Sequence, residues 1–169
     1  MYEKSIELLN KAVAGEIAAI LQYMYFHFHC DDQGYDLLAN LFKKTAIEEM
    51  MHSEKLSERI LFLKGEVEIK PSEEVKKVHD VGKMLEMAKN METTAIKDYN
   101  KFANECAANA DANTKKIFEA LINDEERHLD QFDTEEEHLR NFGDRYLALQ
   151  SIERSKAIAS TPPSNAPIE

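Results

Sequence analysis

The sequence predicts an all-α protein, a bundle of four long helices followed by a short fifth one. Three observations carry this. There are only five Gly and four Pro in 169 residues, and three of the Pro fall in the last eight positions, so helix breakers are scarce elsewhere. The chain is rich in Ala, Glu, Lys, Leu and Met, which lose little on entering a helix. Apolar residues recur at helical spacing over four long segments, and alternating Val/Thr/Ile runs are few. At 43% hydrophobic the chain can bury one real core, so a single domain is expected over residues 1–158. Residues 159–169, "ASTPPSNAPIE", are polar and Pro/Ser-rich and are expected to form a disordered tail.

The first helix is expected over residues 3–31, ending at the polar break "CDDQG". The second covers 35–64 and stops at Gly65; the third covers 80–109 and the fourth 113–141. "NADANT" makes the turn between the last two, with Asp111 or Asn113 available to cap the fourth helix. "DRYLALQSIERSKAIA", after Gly143, reads as the short fifth helix. Helices of this length would each run ~40–45 Å at ~1.5 Å per residue. Short loops make antiparallel hairpins of helices one and two and of helices three and four. The one long connection, "GEVEIKPSEEVKKVH" at 65–79, can cross the length of the bundle and set the second and third helices parallel; Ser72, after Pro71, could cap a short helical turn within it.

A net charge of −11 without Lys/Arg clusters speaks against nucleic-acid binding. No apolar run approaches ~18 residues and the N-terminus carries no signal-peptide core, so a cytoplasmic protein without membrane contact is expected. Two cysteines make no disulfide framework.

An internal repeat points to the chemistry. A shift of 76 positions places Glu16 on Glu92, Tyr23 on Tyr99, Cys30 on Cys106, Phe42 on Phe118, Glu49 on Glu125 and His52 on His128. Two Cys, two of six His and two of six Tyr at one offset are hard to obtain by chance. The matched acids lie on apolar stripes. Leu9, Glu16, Tyr23 and Cys30 stand seven apart on the first helix, as do Leu85, Glu92, Tyr99 and Cys106 on the third. Glu49 and Glu125 continue the stripes of Phe42 and Phe118, with His52 and His128 one turn on. Glu48, with Asp124 as its counterpart, lies on a mixed flank and is expected to be peripheral, so Glu48→Ala should be mild.

Four buried carboxylates repel one another and need cations or protons. A Glu from each of two helices plus Glu-x-x-His from each of the other two is the ligand set of di-iron carboxylate bundles. Glu16, Glu49, His52, Glu92, Glu125 and His128 are therefore the expected metal ligands, with one Glu of each hairpin shared by two ions. Carboxylate and imidazole without thiolate suits Fe²⁺ and Fe³⁺, and Mn or Zn could substitute.

"GEIAAILQY", "IEEMMHSEKLSERILFLKG" and "LINDEERHLD" resemble the ligand segments of the bacterioferritin and Dps-like branch of the ferritin-like superfamily, and "NMETTA" supplies the remaining ligand position. The resemblance extends to about residue 150. It implies a hollow homo-oligomeric cage of 12 or 24 subunits that oxidises Fe²⁺ with O₂ or H₂O₂ at an intrasubunit di-iron centre and stores ferric mineral. It places Tyr23 beside that centre, in a redox role or bonded to a ligand. Met50 matches the position from which bacterioferritins ligate haem b across a twofold axis, although a methionine in a Met-rich helix more often serves packing. Cys30 and Cys106 are similar to the thiols of a Dps-like subgroup sometimes called thioferritins. Each lies 14 residues beyond a ligand Glu on an oppositely directed helix, which makes a disulfide between them difficult, so burial at a helix end and a redox or intersubunit role both stay open. His27 and His29 are read as packing or interface residues, and His79 and His138 receive no role. A non-storing redox enzyme, such as a rubrerythrin-like peroxidase or a manganese catalase, could use the same ligands. The rubrerythrin form usually adds a CxxC…CxxC site, which two isolated cysteines cannot make.

Overall fold

The computed structural model describes residues 2–160. Positions 161–169 of the expected tail lie outside the described residues. Among the described residues the chain is all-helical, with α1 at Glu3–Asp32, α2 at Asp36–Phe62, α3 at Val81–Ala108, α4 at Ala112–Phe142 and α5 at Asp144–Ser160. The first four have 30, 27, 28 and 31 residues, close to the expected spans.

Local chemistry sets most boundaries. Asp80 caps α3 by accepting from the Lys83 backbone N–H at 2.8 Å. Asp111, and not Asn113, caps α4, accepting from the Thr114 N–H and hydroxyl while Arg59 Nη2 donates to it at 2.8 Å. α2 has no such cap at its own N-cap residue; instead Gln150 of α5 accepts from the Leu37 and Leu38 N–H groups. The end of α2 differs in detail from expectation. Lys64 takes the left-handed conformation (φ 63°), while Gly65 follows it and donates to the Ile60 carbonyl. Gly65 is needed for space: a Cβ there would sit 2.7 Å from Ile6 Cγ2.

The long connection runs along α1 and is tied to it at three levels. Asn10 bonds the backbone of Glu66 and Glu68, the Ala14 carbonyl accepts from Ser72 N–H, and buried Gln22 clasps both backbone groups of Lys76. The helical turn expected at Ser72 does not form: residues 65–71 and 74–80 are irregular, Ser72 and Glu73 are only a bend, and the Ser72 N–H is given to α1. The crossover leaves α1 and α3 antiparallel. Ser5 near the start of α1 meets Cys106 near the end of α3, and Cys30 near the end of α1 meets Met84 near the start of α3.

This register divides the interior into two apolar clusters. One contains Leu9, Leu56, Tyr99, Phe102 and Phe118; the other contains Tyr23, Phe26, Phe42, Leu85 and Phe132. Burying such residues contributes roughly 1.5–3 kcal/mol each, enough to hold a polar layer between them.

Candidate metal centre

Glu16, Glu49, Glu92 and Glu125 reach the same level because each continues its helix's apolar stripe, and the packing that buries the stripe buries the acid. All four are 3% exposed or less, as are His52 and His128. Their ligand atoms fall into two groups, Glu16/Glu49/His52/Glu125 and Glu49/Glu92/Glu125/His128, each lying within 4.8 Å. Glu49 and Glu125, one per hairpin, belong to both groups.

The imidazoles are presented alike. His52 Nδ1 lies 2.8 Å from Glu49, 3.2 Å from Glu125 and 3.7 Å from Glu16. His128 Nδ1 lies 3.1 Å from Glu49, 3.2 Å from Glu125 and 3.8 Å from Glu92. Both Nδ1 atoms thus face the carboxylates and both Nε2 atoms face outward. The rings stand 5.9 Å apart and nearly parallel.

Three buried atoms in this layer, Glu49 Oε2, His52 Nδ1 and Glu125 Oε1, have no hydrogen-bond partner. Buried polar atoms are otherwise satisfied with few exceptions, and these three converge on one point. Oxygen and imidazole donors aimed inward, with no thiolate, fit a pair of first-row divalent cations.

The electrostatics agree. Burial, reinforced by Glu49 and Glu125, pushes the Glu16 carboxyl well above the usual carboxylate range. Burial likewise raises Glu92, with His128 opposing and Glu49 and Glu125 adding to the rise. Burial alone would lower His52, but the close carboxylates of Glu125 and Glu49 outweigh that and push it up to about 10; His128 is raised by its own carboxylate neighbours. Burial alone would raise Glu125, yet His128 and His52 hold it down to about 2. The raised imidazoles and raised terminal carboxyls favour their protonated forms. Cations bound at Nδ1 and the carboxylates would displace those protons.

Contacts around the ligands repeat the symmetry crosswise. Tyr23 of α1 donates its hydroxyl to Glu92 of α3, and Tyr99 of α3 donates to Glu16 of α1 at 2.5 Å. Tyr23 is therefore bonded to a candidate ligand. Tyr99, matched by the repeat but given no role in the sequence, does the same on the other side. Glu48 needs correction. It stays out of the inner cluster, but its Oε2 lies 2.7 Å from His128 Nε2, so it is not peripheral. Its counterpart Asp124 lies 3.3 Å from His52 Nε2. The sequence carried the pairing of Glu48 with Asp124 but not their reach across to the opposite hairpin.

A cavity of about 740 Å³ between α1 and α3, beside the crossover, leads to Glu16, Glu92, Tyr23 and Tyr99. Met50 does not pack in the chain's own core: it is 54% exposed on the outer side of α2. Cys30 and Cys106 are free, buried and in opposite apolar clusters, so no bond joins them within the chain. Of the remaining histidines, His27 bonds the Ala39 carbonyl, and His29 packs on His79 with ring centroids 4.5 Å apart. His138 lies 3.6 Å from Glu135 on its own helix, away from the acid layer. No described helix is long and apolar enough to cross a membrane.

Comparison with known proteins agrees with this geometry. A bacterioferritin of Desulfovibrio desulfuricans is 38% identical over 161 residues, covering 95% of this chain and 86% of that protein. One from Rhodobacter capsulatus is 37% identical over 133 residues, 78% of this chain and 82% of that protein. An X-ray structure of the D. desulfuricans bacterioferritin, described for its diiron site in different catalytic states, superposes with a TM-score of 0.86 at 36% identity, covering 98% of this chain and 92% of that one. The ferritin-like domain model matches residues 6–158, and this chain belongs to the ferritin-like family.

Proposed function

We propose that this protein is an iron-storing ferroxidase that takes Fe²⁺ as its substrate in the cytoplasm and retains the ferric product inside a cage of 12 or 24 copies. The observation that supports it most is the buried layer in which Glu16, Glu49, His52, Glu92, Glu125 and His128 aim two sets of ligand atoms at two adjacent points. Two Fe²⁺ give up two electrons, which with two protons reduce one H₂O₂ to two waters or one O₂ to one H₂O₂.

The chain's own residues prepare that exchange. Glu49 and Glu125 hold both ions together, so the pair is oxidised as a unit. Glu16 with His52, and Glu92 with His128, complete one position each. The phenols of Tyr99 and Tyr23 orient the two terminal carboxylates. The apolar clusters above and below shield the layer along the bundle, and on the α1–α3 side the cavity admits ions and oxidant. Mn or Zn fits the same donors, but neither supplies the Fe²⁺/Fe³⁺ couple.

Sizing the native particle and then supplying Fe²⁺ in air tests the proposal. A particle of 12 or 24 subunits that keeps iron in solution is expected. A small oligomer that precipitates rust, or peroxide turnover without retained iron, would overturn storage in favour of a non-storing di-metal redox enzyme.

The exposure of Met50 favours a second site. A thioether pointing out of the bundle, beside exposed Ile47 and Met51, can ligate haem b shared between two copies. Protein expressed with ample haem should show a haem absorbance band that Met50→Leu removes. Absence of the band in the native protein would dismiss haem.

A further inference from the structure

The outward edges of the two histidines are joined by one side chain that the proposed reaction has not used. His128 Nε2 lies 2.7 Å from Glu48 Oε2, and His52 Nε2 lies 3.3 Å from Asp124 Oδ2. Arg127 Nη2 donates to Glu48 Oε2 at 2.6 Å and to Asp124 Oδ1 at 3.1 Å. A continuous chain of polar contacts therefore runs from one imidazole to the other: His128, Glu48, Arg127, Asp124, His52. It links α2 and α4 on the side of the acid layer away from the α1–α3 cavity.

From this geometry we infer that Arg127 is a positioning residue for both metal positions at once. The inference rests on the metal-centre reading above. A histidine that presents Nδ1 to a cation must keep its proton on Nε2, and an outer carboxylate facing that nitrogen fixes both the tautomer and the ring plane. Glu48 and Asp124 are half-exposed and alike in charge. Left alone they would repel each other and turn toward solvent. A single guanidinium nitrogen between them gives each a partner and holds both against the rings. A lysine in its place carries its charge on a flexible stem, without the rigid guanidinium plane that fixes this nitrogen. Because Arg127 stands next to His128 in the chain but reaches toward His52 through Asp124, loosening it disturbs both rings.

The test uses the assembled full-length protein, stripped of metal and titrated with Co²⁺ without oxygen. The visible bands of Co²⁺ report ligand geometry independently of any oxidation. Arg127→Gln should weaken Co²⁺ binding at both positions by about tenfold, the lower end of what loss of outer ligand contacts causes, and should alter the band shape. Arg127→Lys should recover part of the affinity. Arg140→Ala, on the exposed end of the same helix, should match the native protein. Unchanged Co²⁺ affinity and bands in Arg127→Gln would overturn the inference, as would a loss confined to one position. A lowered melting temperature with intact Co²⁺ binding would reduce Arg127 to a packing role and also overturn it. If Arg127→Gln does not assemble, Arg127→Lys decides alone, and native affinity and bands there would overturn the inference. Failure of the native protein to bind a pair of Co²⁺ would remove the metal-centre reading itself, and would show before any substitution is made.

Discussion

The first candidate metal position is bounded by Glu16 and His52 from the N-terminal hairpin, the second by Glu92 and His128 from the C-terminal one, with Glu49 and Glu125 common to both. Each has a phenol from the opposite hairpin, Tyr99 for the first and Tyr23 for the second. Each has an outer carboxylate from the opposite hairpin, Asp124 for the first and Glu48 for the second. Here the two part company. Asp124 is one methylene shorter than Glu48, and its gap to the imidazole is 3.3 Å against 2.7 Å. The residue types of the inner layer match in the two halves, and the difference in residue type is confined to the rim.

Removing what the halves share should have the largest effect. Glu49→Ala or Glu125→Ala takes a ligand from both positions, and fast Fe²⁺ oxidation should fall by about a hundredfold or more, beyond the tenfold to hundredfold typical of outer contacts. Glu16→Ala or Glu92→Ala removes a ligand from one position only and should leave one tight Co²⁺ per chain. Stopped-flow oxidation and Co²⁺ stoichiometry check both statements. Equal losses from all four would mean that the shared and terminal assignments are wrong.

Metal removal asks whether protons and cations compete for the whole layer. His52 has an ordinary value of 6.5 and stands at about 10 in the metal-free fold. Its proton thus stabilises that fold fully below about 6.5, and the contribution is lost as pH rises through about 10. Glu16 and Glu92, also raised, act in the same direction. A Zn²⁺-loaded protein has already given up those protons. The gap in melting temperature between loaded and stripped protein should therefore widen from pH 6.5 to pH 9. A gap that stays level or narrows would mean that the ligands do not carry protons when metal is absent.

The same contrast between inner layer and rim governs how much the sequence discloses. Glu16, Glu49, His52 and their partners at 92, 125 and 128 are legible because burial forces them onto the seven-residue apolar rhythm, and the repeat then pairs them. The hairpins are legible from loop length. Glu48, Arg127 and Asp124 are not, because their contacts join different hairpins and depend on the rotational setting of α2 against α4, which no local pattern encodes. Ser72 is missed for a related reason: its N–H is satisfied by Ala14, far away in sequence.

At the rim, Glu48→Ala and Asp124→Ala should each weaken metal binding at the opposite hairpin's histidine, Glu48→Ala by about tenfold and Asp124→Ala by less, following the shorter contact of Glu48. Asp124→Glu should bring the two positions closer in Co²⁺ affinity. If Asp124→Ala proves the more damaging, contact length does not set the difference between the halves.

The tyrosines should give the smallest effect on binding and the sharpest test of likeness. Tyr23→Phe and Tyr99→Phe each remove one hydroxyl from a buried terminal carboxylate. Two consequences oppose each other. The carboxylate loses an orienting bond, which weakens metal binding, but it no longer shares its electrons with a phenol, which strengthens it. A net change of about threefold or less in Co²⁺ affinity is expected, equal for the two variants, because donor, acceptor and burial match. Fe²⁺ oxidation then separates positioning from electron transfer. If both phenols only position, oxidation follows Co²⁺ affinity in both variants. A Tyr23→Phe protein that binds Co²⁺ normally yet oxidises Fe²⁺ slowly, with Tyr99→Phe unaffected, would assign a redox role to Tyr23 alone. The asymmetry of the two halves would then reach into the buried layer.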